Sequence, residues 1–116
     1  MTGAKVRYKV WVEDDRGVLL SEWRADLLAA VDETGSLTRA AELVDVPYRT
    51  AWERIREMEA ALGEPMIETS SGGREGGGSH LTPAGRDLLA RFRRITNGLD
   101  AEIQRRFDDE LRGRLG

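Results

Sequence analysis

Residues 35–62, GSLTRAAELVDVPYRTAWERIREMEAAL, decide how this chain is read. Leu37, Ala40, Ala41 and Val44 recur at i, i+3, i+4 and i+7. That spacing makes one apolar helical face, kept thin by its two alanines so that another helix can approach closely. Ser36 precedes the run as an N-cap, its hydroxyl placed to accept from an orphan backbone N–H. At Asp45-Val46-Pro47 the pattern stops: proline has no N–H to donate and restricts the residue before it, so one helix ends and a second starts at Pro47. The second directs Ala51, Ile55, Met58 and Leu62 inward and leaves Tyr48, Arg49, Thr50, Glu53, Arg54 and Arg56 outside. Such a pair suits an ordinary helical hairpin, and equally a unit whose outer face enters a DNA major groove.

The residues that follow favour the groove. Met66-Ile67-Glu68-Thr69 reads as a short strand, Ser70 to Ser79 as a glycine-rich loop with Arg74 near its middle, and His80-Leu81-Thr82 as the returning strand. Helix, helix and a two-stranded wing make the order of a winged helix-turn-helix. The glycine-rich loop has no Gly-Lys-Ser/Thr ending and follows no parallel-sheet strand, so a nucleotide-phosphate cradle is a poor reading. As a wing it lets backbone N–H groups approach phosphates and Arg74 enter a minor groove; otherwise it is a solvent loop.

With those residues in view the chain resembles the N-terminal DNA-binding domain of the ModE molybdate-responsive transcription regulators, and more distantly the LysR-type winged helix. The most specific parts are Tyr48 to Trp52 (YRTAW) and the wing glycines Gly72, Gly73, Gly76, Gly77 and Gly78. Asp45 stands in the turn where that family usually has glycine, and Asp tolerates the left-handed conformation better than most residues. Those regulators continue into C-terminal molybdate-binding domains. The sequence to Gly116 holds none, so the expectation is a DNA-binding unit without them, linked to molybdate or metal homeostasis and with its effector unknown.

Composition sets outer bounds. A chain of 116 residues has room for one domain and a modest core. It contains no cysteine, which excludes a disulfide framework, thiolate metal ligation and a cysteine nucleophile, and fits a reducing cytoplasm. No apolar run approaches the roughly 20 residues of a membrane span, and Met1 to Lys5 lacks a secretory apolar segment, so no membrane association is expected. A formal charge of −3 argues for weak non-specific DNA affinity. Arg49, Arg54 and Arg74 nevertheless belong to the proposed face, while acids cluster at Glu13-Asp14-Asp15 and Asp108-Asp109-Glu110, near the two ends. Screening over about 8 Å at physiological salt makes this local distribution matter more than the sum.

Ahead of the helical pair, Val6, Tyr8, Val10 and Val12 alternate with Arg7, Lys9, Trp11 and Glu13, the period of a half-buried strand. Asp14-Asp15-Arg16-Gly17 is turn chemistry and Val18-Leu19-Leu20 the returning strand. Ser21 then caps a helix through about Thr34, closed by Gly35, with Leu27, Leu28 and Val31 facing the pair and Trp23 assigned to the core.

Roles on the second helix follow position. Tyr48, Arg49 and Thr50 occupy the first turn, which reaches deepest into a groove, and Arg49 is suited to a bidentate contact with guanine. Arg54 is placed to hold a phosphate. Glu53 either accepts from cytosine or pairs with Arg49 or Arg56. Trp52 is assigned to the core or its edge in preference to DNA. Ser36 and Thr38 are candidates for phosphate contacts.

Thr82-Pro83 opens a further helix, along which Leu88, Phe92, Ile95, Leu99, Ile103, Phe107 and Leu111 form a stripe too long for so small a domain to cover. A two-fold homodimer through this helix follows, as the resemblance also implies, with Asn97-Gly98 as a place where it bends or breaks. No catalytic or metal constellation and no cofactor site is found: His80 stands alone at the wing base, and the carboxylates are scattered among arginines.

The expected fold is α+β, mainly α: a single winged helix-turn-helix domain over 1–116 with an N-terminal β-hairpin and a long C-terminal dimerisation helix. Its parts are the hairpin at 5–20, a three-helix core at 22–62 with the helix-turn-helix at 36–62, the wing at 65–82 and the dimerisation helix at 83–112. The expected function is sequence-specific binding of double-stranded DNA by a cytoplasmic, non-enzymatic regulator, a homodimer on an inverted repeat. The alternatives are a winged-helix protein-interaction module without DNA binding and a small oxyanion-binding protein.

Overall fold

Ser21 and Gly35 bracket the first helix of the core. In the computed structural model, which describes residues 3–70 and 78–115, the Ser21 hydroxyl accepts from Arg24 N, and Gly35 closes the helix at φ 72° by donating its N–H to Val31 O. Between them α1 (Glu22–Thr34) buries Leu27, Leu28 and Val31 completely. Ser36 caps α2 (Leu37–Leu43), again as its position suggests, by accepting from Arg39 N.

The turn between α2 and α3 (Tyr48–Leu62) is kept despite its Asp. Asp45 adopts φ 60°. Its N–H reaches Glu42 O and that of Val46 reaches Ala41 O, so two carbonyls orphaned by the end of α2 regain donors. Ala51, Ile55 and Met58 seal α3 against the core, but Leu62 is 40 % exposed where an inward position was expected. It is the last residue of the helix and lies one turn beyond the packing that holds Met58.

The wing is an antiparallel pair, β3 (Ile67–Ser70) with β4 (Gly78–Leu81), in the register Ile67↔Leu81 to Ser70↔Gly78. Three contacts bind it to the helices. Ser79 N donates to Gly35 O at 2.8 Å, Thr82 Oγ1 to Pro65 O at 2.6 Å, and Gly85 lies so close to the wing base that a Cβ there would meet Met66 O at 2.2 Å. Thr82 caps α4 (Pro83–Thr96), which buries Leu89 and Phe92. Leu88, the expected start of the apolar stripe, is only partly buried; the inward position belongs to its neighbour.

At the ends of the chain one expectation needs correction, and the other, a bend or break at Asn97-Gly98, is realised as a break. The N-terminal hairpin is β1 (Trp11–Asp14) with β2 (Gly17–Ser21), not 5–20, and a bulge at Leu19 interrupts its register. Of the alternating residues 6–13, residues 6–10 lie outside any strand, because β2 stops at the cap of α1 and offers them no further ladder. The Val6 peptide bonds instead to the Gln104 side-chain amide, as acceptor at 3.1 Å and donor at 3.4 Å. The C-terminal helix is two helices: α4 ends at Asn97, Gly98 takes φ 82°, and α5 (Leu99–Leu111) begins after it, followed by a short 3-10 turn at Arg112–Arg114. No residue of α5 is buried. The described chain spans 62 × 30 × 22 Å with a radius of gyration of 17.8 Å. A compact chain of this length would have about 13 Å.

Candidate nucleic-acid interface

The N-terminal end of α3 stands clear of the core. Pro47 supplies no capping side chain, and the first intrahelical bond runs from Ala51 N to Pro47 O, so Tyr48, Arg49 and Thr50 have no intrahelical acceptor for their N–H groups. Tyr48 is 52 % exposed, the Arg49 side chain is 89 % exposed, and Thr50 is half-buried. Neither Tyr48 nor Arg49 is sealed inside the subunit.

Around this end the structure gathers some of the expected residues and separates others. Ser36, Thr38 and Tyr48 line one shallow groove of about 240 Å³ with Thr69, Gly78 and Ser79 of the wing. The Ser36 hydroxyl is also engaged as the cap of α2. Arg49 and Glu53 form a separate outward pair at 3.2 Å, the ion pair that is one of the two roles expected of Glu53. Arg54 is drawn off this face. Five residues beyond Arg49, it lies about 140° further round the helix, and its guanidinium donates to Glu57 at 2.6 Å. Glu57 lies 3.6 Å from Arg24, which is 7 % exposed and donates to Val18 O and Leu19 O. Burial pulls the Arg24 guanidinium below the usual arginine range, opposed by Glu57. Arg54 therefore belongs to the cluster that fastens α3 to α1 and β2. Arg74 lies outside the described residues, as does most of the wing loop.

Trp52 stands at the outer edge of the core, one of the two places expected for it. It is 43 % exposed, with the Arg56 guanidinium 5.0 Å from its ring centroid. Arg56 pairs in turn with Glu59 at 3.0 Å. Position alone could have found this: Trp52 is four residues from Tyr48, on the same flank of α3. Trp23 is packed partly buried against the core as expected. His80 is not isolated either, since Glu68 stands opposite it in the wing ladder and their side chains approach to 3.1 Å.

A helical pair whose second helix projects an exposed, uncapped first turn beside a two-stranded wing defines a winged helix-turn-helix protein. Residues 24–86, more than half of the chain, match the family described as "Bacterial regulatory helix-turn-helix protein, lysR family", and the chain belongs to that family. It is 36 % identical over 108 residues to the molybdenum transport protein ModE of Azotobacter vinelandii, covering 93 % of this chain and 38 % of the relative. It is 37 % identical over 95 residues to the molybdenum-pterin-binding protein MopB of Rhodobacter capsulatus, covering 82 % and 35 %. The chain thus spans under two fifths of the length of these relatives. Among solved structures, DarR of Vibrio fischeri in complex with DNA is similar at a TM-score of 0.54 and 27 % identity, over 74 % of this chain and 27 % of that one. The DNA complex of the CbnR DNA-binding domain has a TM-score of 0.50 and 28 % identity, over 79 % of this chain and 95 % of that one. No helix among the described residues is long and apolar enough to cross a membrane.

Proposed function

We propose that this chain is the DNA-reading unit of a ModE-like transcription regulator, a non-enzymatic cytoplasmic protein that binds an inverted repeat of double-stranded DNA as a homodimer. One observation carries the reading: the first turn of α3, with Tyr48 and Arg49 exposed and its backbone donors uncommitted, leads the helix away from the core. A helix presented in this way enters a major groove end-first, so its first-turn side chains reach base edges and its positive end meets the flanking phosphates. In this reading Arg49 contacts a guanine edge, Tyr48 and Thr50 flank it, and Ser36 and Thr38 approach the phosphates from the start of α2. Arg74 on the wing serves the adjacent minor groove. Glu53 positions Arg49, and Arg54 acts through the Arg24–Glu57 cluster.

Residues 83–112 form the dimerisation segment in this reading. Ile95, Leu99 and Leu111 are 57 %, 38 % and 45 % exposed along it, an apolar surface that a second copy would cover. A two-fold dimer sets the two copies of α3 about 34 Å apart, or a multiple of that, on one face of the duplex. Selecting bound sequences from random duplexes, with and without molybdate, tests the proposal. An inverted repeat should emerge whose affinity falls steeply with salt and is weakened by Arg49→Ala. Recovery of no sequence in either condition would leave a protein-interaction module, and molybdate-dependent thermal stabilisation without DNA an oxyanion receptor.

A further inference from the structure

An indole 43 % exposed on a chain with a formal charge of −3 asks for a partner, and its surroundings say what kind. The Arg56 guanidinium over Trp52 is held from a second side by Glu59 Oε1 at 3.0 Å. Glu59 is itself fixed: its side chain is 12 % exposed and its other oxygen accepts from Met66 N at 2.9 Å, at the base of the wing. Arg56 is therefore pre-set between an aromatic face and an anchored carboxylate, which leaves part of its five-donor fork free for another acceptor.

Trp52 and Arg56 line a groove of about 230 Å³ between α3 and the wing, with Tyr48, Ile67, Thr69 and Ser79. Tyr48, Thr69 and Ser79 also line the neighbouring groove that leads to Ser36 and Thr38, so the two form one path along the helix–wing junction. Over an apolar floor of Leu37, Ile55 and Ile67 the path carries hydroxyls, an indole and a guanidinium, and Glu59, the carboxylate within it, is already matched by Arg56 and a backbone N–H. Donors and a cation suit phosphate oxygens, while aromatic faces between them suit the apolar edge of a sugar ring.

We infer that Trp52 and Arg56 grip the sugar–phosphate strand of duplex DNA that passes between α3 and the wing. This rests on the proposed DNA-binding function, whose face the groove continues at Tyr48. The contact is to the strand and not to base edges, so it contributes affinity without sequence preference.

The full chain is titrated with the duplex selected above and with a random duplex between 50 and 300 mM salt, using Arg56→Ala, Arg56→Lys and Trp52→Ala, each shown by thermal melting to be folded. Arg56→Ala should weaken both duplexes by the same factor, roughly three- to tenfold, and lower the salt slope by about one. Arg56→Lys keeps the charge and should keep the slope. Trp52→Ala should weaken both duplexes at an unchanged slope. With Trp11 and Trp23 replaced by Phe, the emission of Trp52 should shift when either duplex is added. The inference fails if wild type binds the selected duplex while folded Arg56→Ala and Trp52→Ala bind both duplexes as wild type does, or if Arg56→Ala weakens only the selected one. Binding of a polyglutamate peptide that Trp52→Ala abolishes, with duplex affinity unaltered, would make the groove a protein site instead. Failure of wild type to bind any duplex overturns the DNA reading itself.

Discussion

Arg49 Nε donates to Glu53 Oε1 at 3.2 Å, one turn further along α3, although the Arg49 side chain is 89 % exposed. The same arrangement recurs at Arg54–Glu57 and Arg56–Glu59, so each of the three arginines of α3 has a glutamate beside it and the helix carries no net side-chain charge. An exposed pair of this kind contributes only about 0.3–0.5 kcal/mol to the helix, but Glu53 would also repel phosphate wherever Arg49 finds no base to replace it. Glu53→Gln should therefore raise affinity for random duplex by roughly three- to tenfold, steepen its salt dependence and narrow the preference for the selected sequence. Fluorescence anisotropy on both duplexes reads all three, and unchanged binding would reduce the pair to a solvent contact.

Asp45 is the one described non-glycine residue at positive φ, at 60°, and it stands in the turn between α2 and α3. A left-handed residue with a Cβ costs up to about 1–2 kcal/mol, less for Asp than for most. Asp45→Gly should stabilise the domain by about 0.5–1 kcal/mol, and Asp45→Val should destabilise it by about 1–2 kcal/mol. Urea unfolding measures both; the opposite order would show that the aspartate side chain holds the turn.

Gly85 places α4 against the wing base at a separation no side chain permits, since an added Cβ would meet Met66 O at 2.2 Å and the Met66 carbonyl carbon at 3.1 Å. Both obstacles are backbone. Gly85→Ala should cost about 1–3 kcal/mol by overpacking and should displace the wing from α3, which weakens DNA binding more than Gly113→Ala, a site with open space. An unfolding midpoint equal to that of wild type would refute the tight approach.

Glu102 accepts hydrogen bonds from Arg105 and Arg106 on α5, and these hold its carboxyl at about 2, below the ordinary 4.5. A carboxyl lowered in the folded state adds stability that is complete above its unfolded value and is lost as pH falls through its folded one. The helicity of α5 should therefore decline between pH 4.5 and about 2. Circular dichroism of wild type against Glu102→Gln checks this: the variant should begin lower and lose less over that range.

Much of the fold was legible because it rests on local rules. Ser21, Gly35, Ser36 and Thr82 act through backbone groups within a few residues, so their positions were sufficient to place α1, α2 and the start of α4. The exposure of Tyr48 and Arg49 followed from helical periodicity. That residues 6–10 form no strand was not legible, because alternation reports a half-buried extended segment without naming its neighbour, which for Val6 is Gln104, nearly a hundred residues away. For Trp52 the choice between core and core edge stayed open in the sequence, and packing makes it the edge, because the flank it occupies meets the wing and not another helix.

What the amino-acid order determined by itself was the series of helices, turns and wing strands, and which side of each helix is apolar, since caps, proline constraints and side-chain period act over one or two turns. Only the folded chain decided that Arg54 turns toward the buried Arg24 cluster, that Trp52 and Arg56 share a groove with the wing, and that no residue of α5 is fully buried by its own subunit. Those outcomes depend on which surfaces meet when distant segments pack, and a contact between residues far apart in sequence leaves no periodic trace in either of them.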